Sequence, residues 1–156
     1  MAGPLQDGNG RRAGGLRGAA ADITRDPKAF TAAIRNGIFT FLRALVSGDF
    51  EAALATLSAE DAAPASDHEP WTAERLRAAL DAYYLEHERI CLDPAARNLQ
   101  HTYITPSEDK RHWRVQQMLI DPGEANDWVA EFDVDLARSR AAGEPILTLR
   151  RLGSLV

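Results

Sequence analysis

Two periodicities divide the chain. Between residues 26 and 87 large apolar side chains recur every three or four positions, and from residue 98 onward they recur every second position. These are the signatures of amphipathic helices and of half-buried strands. In "RDPKAFTAAIRNGIFTFLRALV", Phe30, Ile34, Ile38, Phe41, Leu42 and Leu45 fall on one helical face. Asp26 is placed to cap the first turn, and Pro27 suits the first helical position, where a missing N–H costs nothing. "VSGDF" predicts a corner, with Gly48 for a left-handed helix end and Asp49 to cap a second helix carrying Phe50, Ala53, Leu54 and Leu57 inward. After the aperiodic, proline-containing "SAEDAAPASDHEP", Thr72 caps a third helix. Trp71 is positioned to fold back on Leu76 as a hydrophobic staple, and the buried stripe runs on through Ala79, Leu80, Tyr83, Tyr84 and His87.

The alternating half reads as four strands, "QHTYIT", "WRVQQMLI", "WVAEFDVDL" and "PILTLRRL". "PSEDKRH", "DPGEAND" and "ARSRAAGE" join them as hairpin loops. Helices followed by a meander make an α+β protein, with three N-terminal helices packed on a curved antiparallel sheet of about four strands. A chain of 156 residues sustains one core, assigned to residues 23–156. Residues 1–22, rich in glycine, arginine and alanine, hold too little bulky apolar surface to offset the entropy of ordering and are expected to be a disordered arm.

The third strand alternates apolar and acidic side chains, and Glu131, Asp133 and Asp135 could be a catalytic or metal-binding row. Alternate strand positions splay carboxylates along a line, whereas a hard cation needs them around a point. Leu119 opposite Trp128 would set Val115 against Phe132 on the core face and Arg114 against Asp133 on the other. Leu147 opposite Leu136 would bring Arg150 to the same aspartate. The row then reads as the solvated side of a strand, Asp133 lying between two arginines, and no metal site is assigned.

Charge changes the picture in one respect. The net charge of −5 divides into seven basic against three acidic side chains in residues 1–43, and eleven against twenty in the remainder. An acidic body repels phosphate, so weak nucleic-acid binding through Arg11, Arg12 and Arg17 of the arm is the most that is expected. No uninterrupted apolar run approaches the ~20 residues that span a bilayer. The N-terminus lacks the apolar stretch of a secretory signal, and Cys91 is the single cysteine; a cytoplasmic location is expected. Phosphate-cradling loops and paired metal-binding histidines are absent, so neither an NTPase nor a cofactor is indicated. One constellation remains: Tyr83 and His87 a helical turn apart, with His101, Tyr103 and Gln117 on strand positions that could face them and line a pocket. Buried rings each finding one hydrogen bond account for the same residues.

The helix–Gly–Asp–helix corner in "FLRALVSGDFEAALATL", the third amphipathic helix and the long-stranded meander resemble the nuclear transport factor two-like, cystatin-like cone fold, in which a curved sheet wraps a long helix. "ADITRDPKAF", "YYLEHERICLDPAARN" and above all "DWVAEFDVDLARSRAAGEPILTLRRLG" are similar to the C-terminal region, of unknown function, of bacterial DEAD/DEAH-box helicase-like proteins. That resemblance implies a non-catalytic accessory domain, with helicase motor domains as partners in cis or in trans and no catalytic residue. The cone fold also leaves open a small-molecule binder or hydrolase using Tyr83, His87 and His101. Oligomeric state stays open, a dimer being compatible.

Overall fold

A computed structural model describes residues 22–57 and 70–155. The expected arm and the linker of residues 58–69 lie outside the described residues. Helix α1 spans Pro27–Val46, with the Asp26 side chain accepting from the Ala29 N–H. Its predicted face is buried throughout, and Phe39 joins it. Gly48 takes φ 81° at the corner, and Asp49 caps the short helix α2, Phe50–Ala55. Helix α3, Ala73–Tyr84, begins on the Thr72 hydroxyl as expected. It ends earlier than the stripe implied: Tyr84 is exposed, and His87 follows in a turn whose N–H donates to the Tyr83 carbonyl.

The four strands are β1 (Thr102–Pro106), β2 (His112–Leu119), β3 (Trp128–Asp135) and β4 (Leu147–Ser154), an open antiparallel sheet in sequential order. A short 3₁₀ turn, Leu99–His101, leads into β1. The β2–β3 register is the predicted one, with Leu119 opposite Trp128, Val115 opposite Phe132 and Arg114 opposite Asp133. The β3–β4 register is not. Leu147 pairs with Val134 and Leu149 with Phe132, while Arg151 pairs with Glu131, so Arg150 is taken up by a bulge between those two pairs. The reason is a fourth helix, α4, Leu136–Ala142, where a plain hairpin loop was expected. Asp135 accepts from the Arg138 N–H as its N-cap, and Gly143 closes it at φ 76°. Leu136 leaves the strand, and the return strand starts two residues out of step.

Arg150 therefore does not stand beside Asp133; Thr148 does. The carboxylates go to three separate partners. Glu131 accepts from Gln116 Nε2 at 2.7 Å, Asp133 lies 3.1 Å from His112 Nδ1 without hydrogen-bond alignment, and Asp135 caps α4. All three are partly buried.

The core forms where α1 and α3 cover one face of the sheet. Phe41 meets Phe132 edge-on at 5.7 Å and Phe30 meets Trp113 at 5.2 Å. A glycine inside α1 is explained here: a Cβ on Gly37 would stand 3.1 Å from Leu147 Cδ1, so this position lets the helix approach β4. Trp71 is buried, and its indole N–H donates to the Leu149 carbonyl at 2.9 Å, tying the start of α3 to β4. By length and composition α1 is apolar enough to cross a membrane, although Lys28, Arg35 and Arg43 interrupt it and its apolar face is occupied by the core.

Candidate functional site

One end of the sheet gathers the polar chemistry. The end of α3, the loop that follows it, and the β2–β3 connection meet there, and the Leu155 N–H donates to the Asp127 carbonyl at 2.7 Å. The β2–β3 connection is held in shape by Asp121, only 2% exposed. Its two oxygens accept from the Asn126 N–H at 2.9 Å and the Ala125 N–H at 3.1 Å. Glu124 and Asn126 both adopt left-handed backbone, φ 56° and 50°. Burial works against the Asp121 charge most strongly, but those N–H groups and His87 together outweigh it and hold the carboxyl below its ordinary range.

His87 bridges this loop to α3. Its Nε2 lies 2.8 Å from Asp127 Oδ1 and its Nδ1 3.5 Å from Asp121 Oδ2. Both ring nitrogens face carboxylates, so neither stands free to take a proton from a substrate. Beneath it Tyr83 is buried, its ring 5.0 Å from that of His87 and 5.3 Å from Trp128, and its hydroxyl donates to the Arg89 carbonyl. Burial, with the Asp121 charge nearby, pushes the Tyr83 phenol well above its usual value, so it stays protonated. Glu86 accepts from the Trp128 indole N–H at 3.1 Å. The arrangement is a latch fastening the β2–β3 connection to α3.

Beside it runs a polar cleft of about 500 Å³, whose walls include Arg89, Cys91, Asp93, His101, Asp121 and Asn126. Cys91 is pinned by its N–H to the Ile120 carbonyl at 2.7 Å. Of the five residues singled out by sequence, Tyr83 and His87 meet, and His101 borders the cleft on the other side of Asp121. Tyr103 and Gln117 do not join them. Tyr103 is 53% exposed. Gln117 is buried and accepts from the Thr102 hydroxyl, while its amide donates to the Met118 carbonyl at 3.2 Å. A single-residue step along a strand turns Tyr103 away from the face Gln117 lines, which the sequence comparison of the two positions overlooked.

Sequence reasoning missed Asp121, Asp127 and Glu86, having treated "DPGEAND" as a generic hairpin loop. The available signal was an aspartate directly after a strand and another directly before one. Glu86, His87 and Asp127 each offer a ligand atom within 4.8 Å of the others, and those are the described residues that could hold a cation. There His87 would have to give up its hydrogen bond to Asp127. The arginines of the expected nucleic-acid arm, Arg11, Arg12 and Arg17, lie outside the described residues.

A family model described as a domain of unknown function (DUF3516) matches residues 5–152. No curated protein matches the chain, and no solved structure does.

Proposed function

The chain belongs to the DUF3516 family, and from the resemblance of its "DWVAEFDVDLARSRAAGEPILTLRRLG" segment we propose that it is a non-catalytic accessory domain that works beside DEAD/DEAH-box helicase motor domains, in cis or in trans. The observation that carries the reading is the latch. The histidine best placed for acid–base chemistry is clamped between Asp121 and Asp127, and the phenol next to it is held protonated and bonded to backbone. A site built for proton transfer leaves one partner free for substrate; here each polar group serves the junction of α3 with the sheet. The element order and the long α1 across one sheet face support a cone-like, nuclear transport factor two-like arrangement. A cytoplasmic location and, at most, weak nucleic-acid contact through the arm complete the proposal.

A second reading, a small-molecule binder or hydrolase of the same fold, is favoured by the cleft next to His101 and Cys91. The two separate experimentally. The purified full chain, mixed with a DEAD/DEAH-box motor polypeptide from the same organism, is expected to co-elute with it on gel filtration and to turn over no ATP alone. A metabolic coding neighbourhood, failure to co-elute, or ATP turnover by the chain itself would defeat the accessory reading.

A further inference from the structure

The outward face of α1 carries a groove that the latch does not use. Two hollows of about 450 and 370 Å³ lie along it, between α1 and residues 94–99, with Ala32 and Arg35 on the wall of each. The hollow beside Leu99 is largely apolar, with Pro27 and Ala32 from the helix side and Leu99 opposite; the other, between Phe39 and Pro94, is mixed in character. Leu99, at the mouth of the apolar hollow, is 59% exposed.

The charge along these hollows is of one sign. Lys28, Arg35 and Arg97 line them, and among the described residues no carboxylate does, although the chain as a whole carries −5. None of the three cations is ion-paired among the described residues. Arg35 is nevertheless held rigidly: its Nε donates to the Thr102 hydroxyl at 3.2 Å, its Nη2 to the Arg97 carbonyl, and its guanidinium stands 5.6 Å from the Phe39 ring centre. A fixed cation with no counter-ion among the described residues, beside an apolar hollow, is preorganised for a partner that supplies both a carboxylate and a hydrophobic side chain.

We propose that this groove docks an acidic peptide segment of a partner protein, with a leucine-sized side chain in the hollow by Leu99 and carboxylates against Lys28, Arg35 and Arg97. Apolar anchoring favours a peptide over a nucleic-acid strand: Phe39 is buried and offers no face for base stacking. The proposal rests on the accessory-domain reading and gives that reading a surface.

The test is fluorescence anisotropy on the full chain. The probe is a short labelled helical peptide of Glu and Ala with Leu at positions i and i+4; the same peptide with Gln for Glu and a labelled single-stranded oligonucleotide are the comparisons. The second protein is the double variant Lys28→Glu, Arg97→Glu. Both side chains are exposed, and an acid in the first turn of α1 suits the helix dipole, so the fold is retained. The acidic peptide is expected to bind saturably, and the double variant to weaken it about tenfold or more at unchanged melting temperature. Absence of saturable binding, equal affinity for the Gln peptide, unchanged affinity in the double variant, or tighter binding of the oligonucleotide would overturn the groove. Should the double variant fail on the peptide yet still co-elute with the motor polypeptide, the accessory role stands and the groove is not its contact. Should neither protein co-elute, the accessory role falls while the peptide titration still decides the groove.

Discussion

Phe132 and Asp133 are neighbours with opposite fates. Phe132 is fully buried against Phe41, whereas Asp133 lies on the other face, 3.1 Å from His112 Nδ1. Phe132→Ala is expected to cost roughly 3–5 kcal/mol, through lost burial and the cavity left behind. Asp133→Asn is expected to cost under about 1 kcal/mol, because a half-exposed pair is screened. Chemical denaturation of both variants checks this, and a larger loss for Asp133→Asn would reinstate a special role for the carboxylate row. Alternation alone made this contrast legible in the sequence, because strand period and side-chain polarity agree at each position. What alternation could not convey is where a carboxylate's partner comes from. Asp121 and Asp127 meet His87 across about forty residues of chain, a distance over which no local pattern operates.

At the scale of elements, helices were legible wherever capping and periodicity coincided. Asp26, Asp49 and Thr72 each accept from the N–H three residues on. The same chemistry was present at Asp135, yet its position in the alternating row hid it. One residue served two patterns, and the strand pattern was the longer. That oversight displaced the β3–β4 register by two residues, since α4 absorbs chain that a hairpin would have paired. Gly37 belongs to the same scale. Glycine inside a helix costs about 1 kcal/mol relative to alanine, and the close approach of Leu147 explains why it is tolerated. Gly37→Val, which adds two further carbons where one Cβ already crowds Leu147, is expected to destabilise by about 1–3 kcal/mol through overpacking of α1 on β4. A thermal melt equal to that of the parent would mean that α1 can lift from the strand without loss.

Considered as a whole, the molecule has a soft end and a firm one. The firm side is the apolar contact of α1 and α3 with the sheet; the soft end is the latch, where order depends on ionisation. Asp121 has its folded-state carboxyl below the ordinary value of 3.8, so its contribution to stability is complete above the unfolded-state value and is lost as pH falls through the folded one. Asp22 and Asp109 are also lowered by local hydrogen bonds, but both remain in any latch variant, so they form a common background. Asp121→Asn keeps the shape, loses the charge opposite His87 and presents an amide to one of the two backbone N–H donors. It is expected to cost about 1.5–3 kcal/mol at neutral pH, the range for hydrogen bonds to a charged group. Because the variant has no carboxyl to protonate there, its melting temperature should fall less steeply than the parent's below pH 4, and the two curves should converge in acid. Parallel curves would show that Asp121 is protonated alike in folded and unfolded chains, and that the latch is held by packing of Tyr83 and Trp128 rather than by charge. Hydrogen exchange adds the location: in the parent at low pH the amides of Ala125 and Asn126, which donate to Asp121, should lose protection before those of β2 and β3, because the loop they close is released while the core of the sheet remains paired.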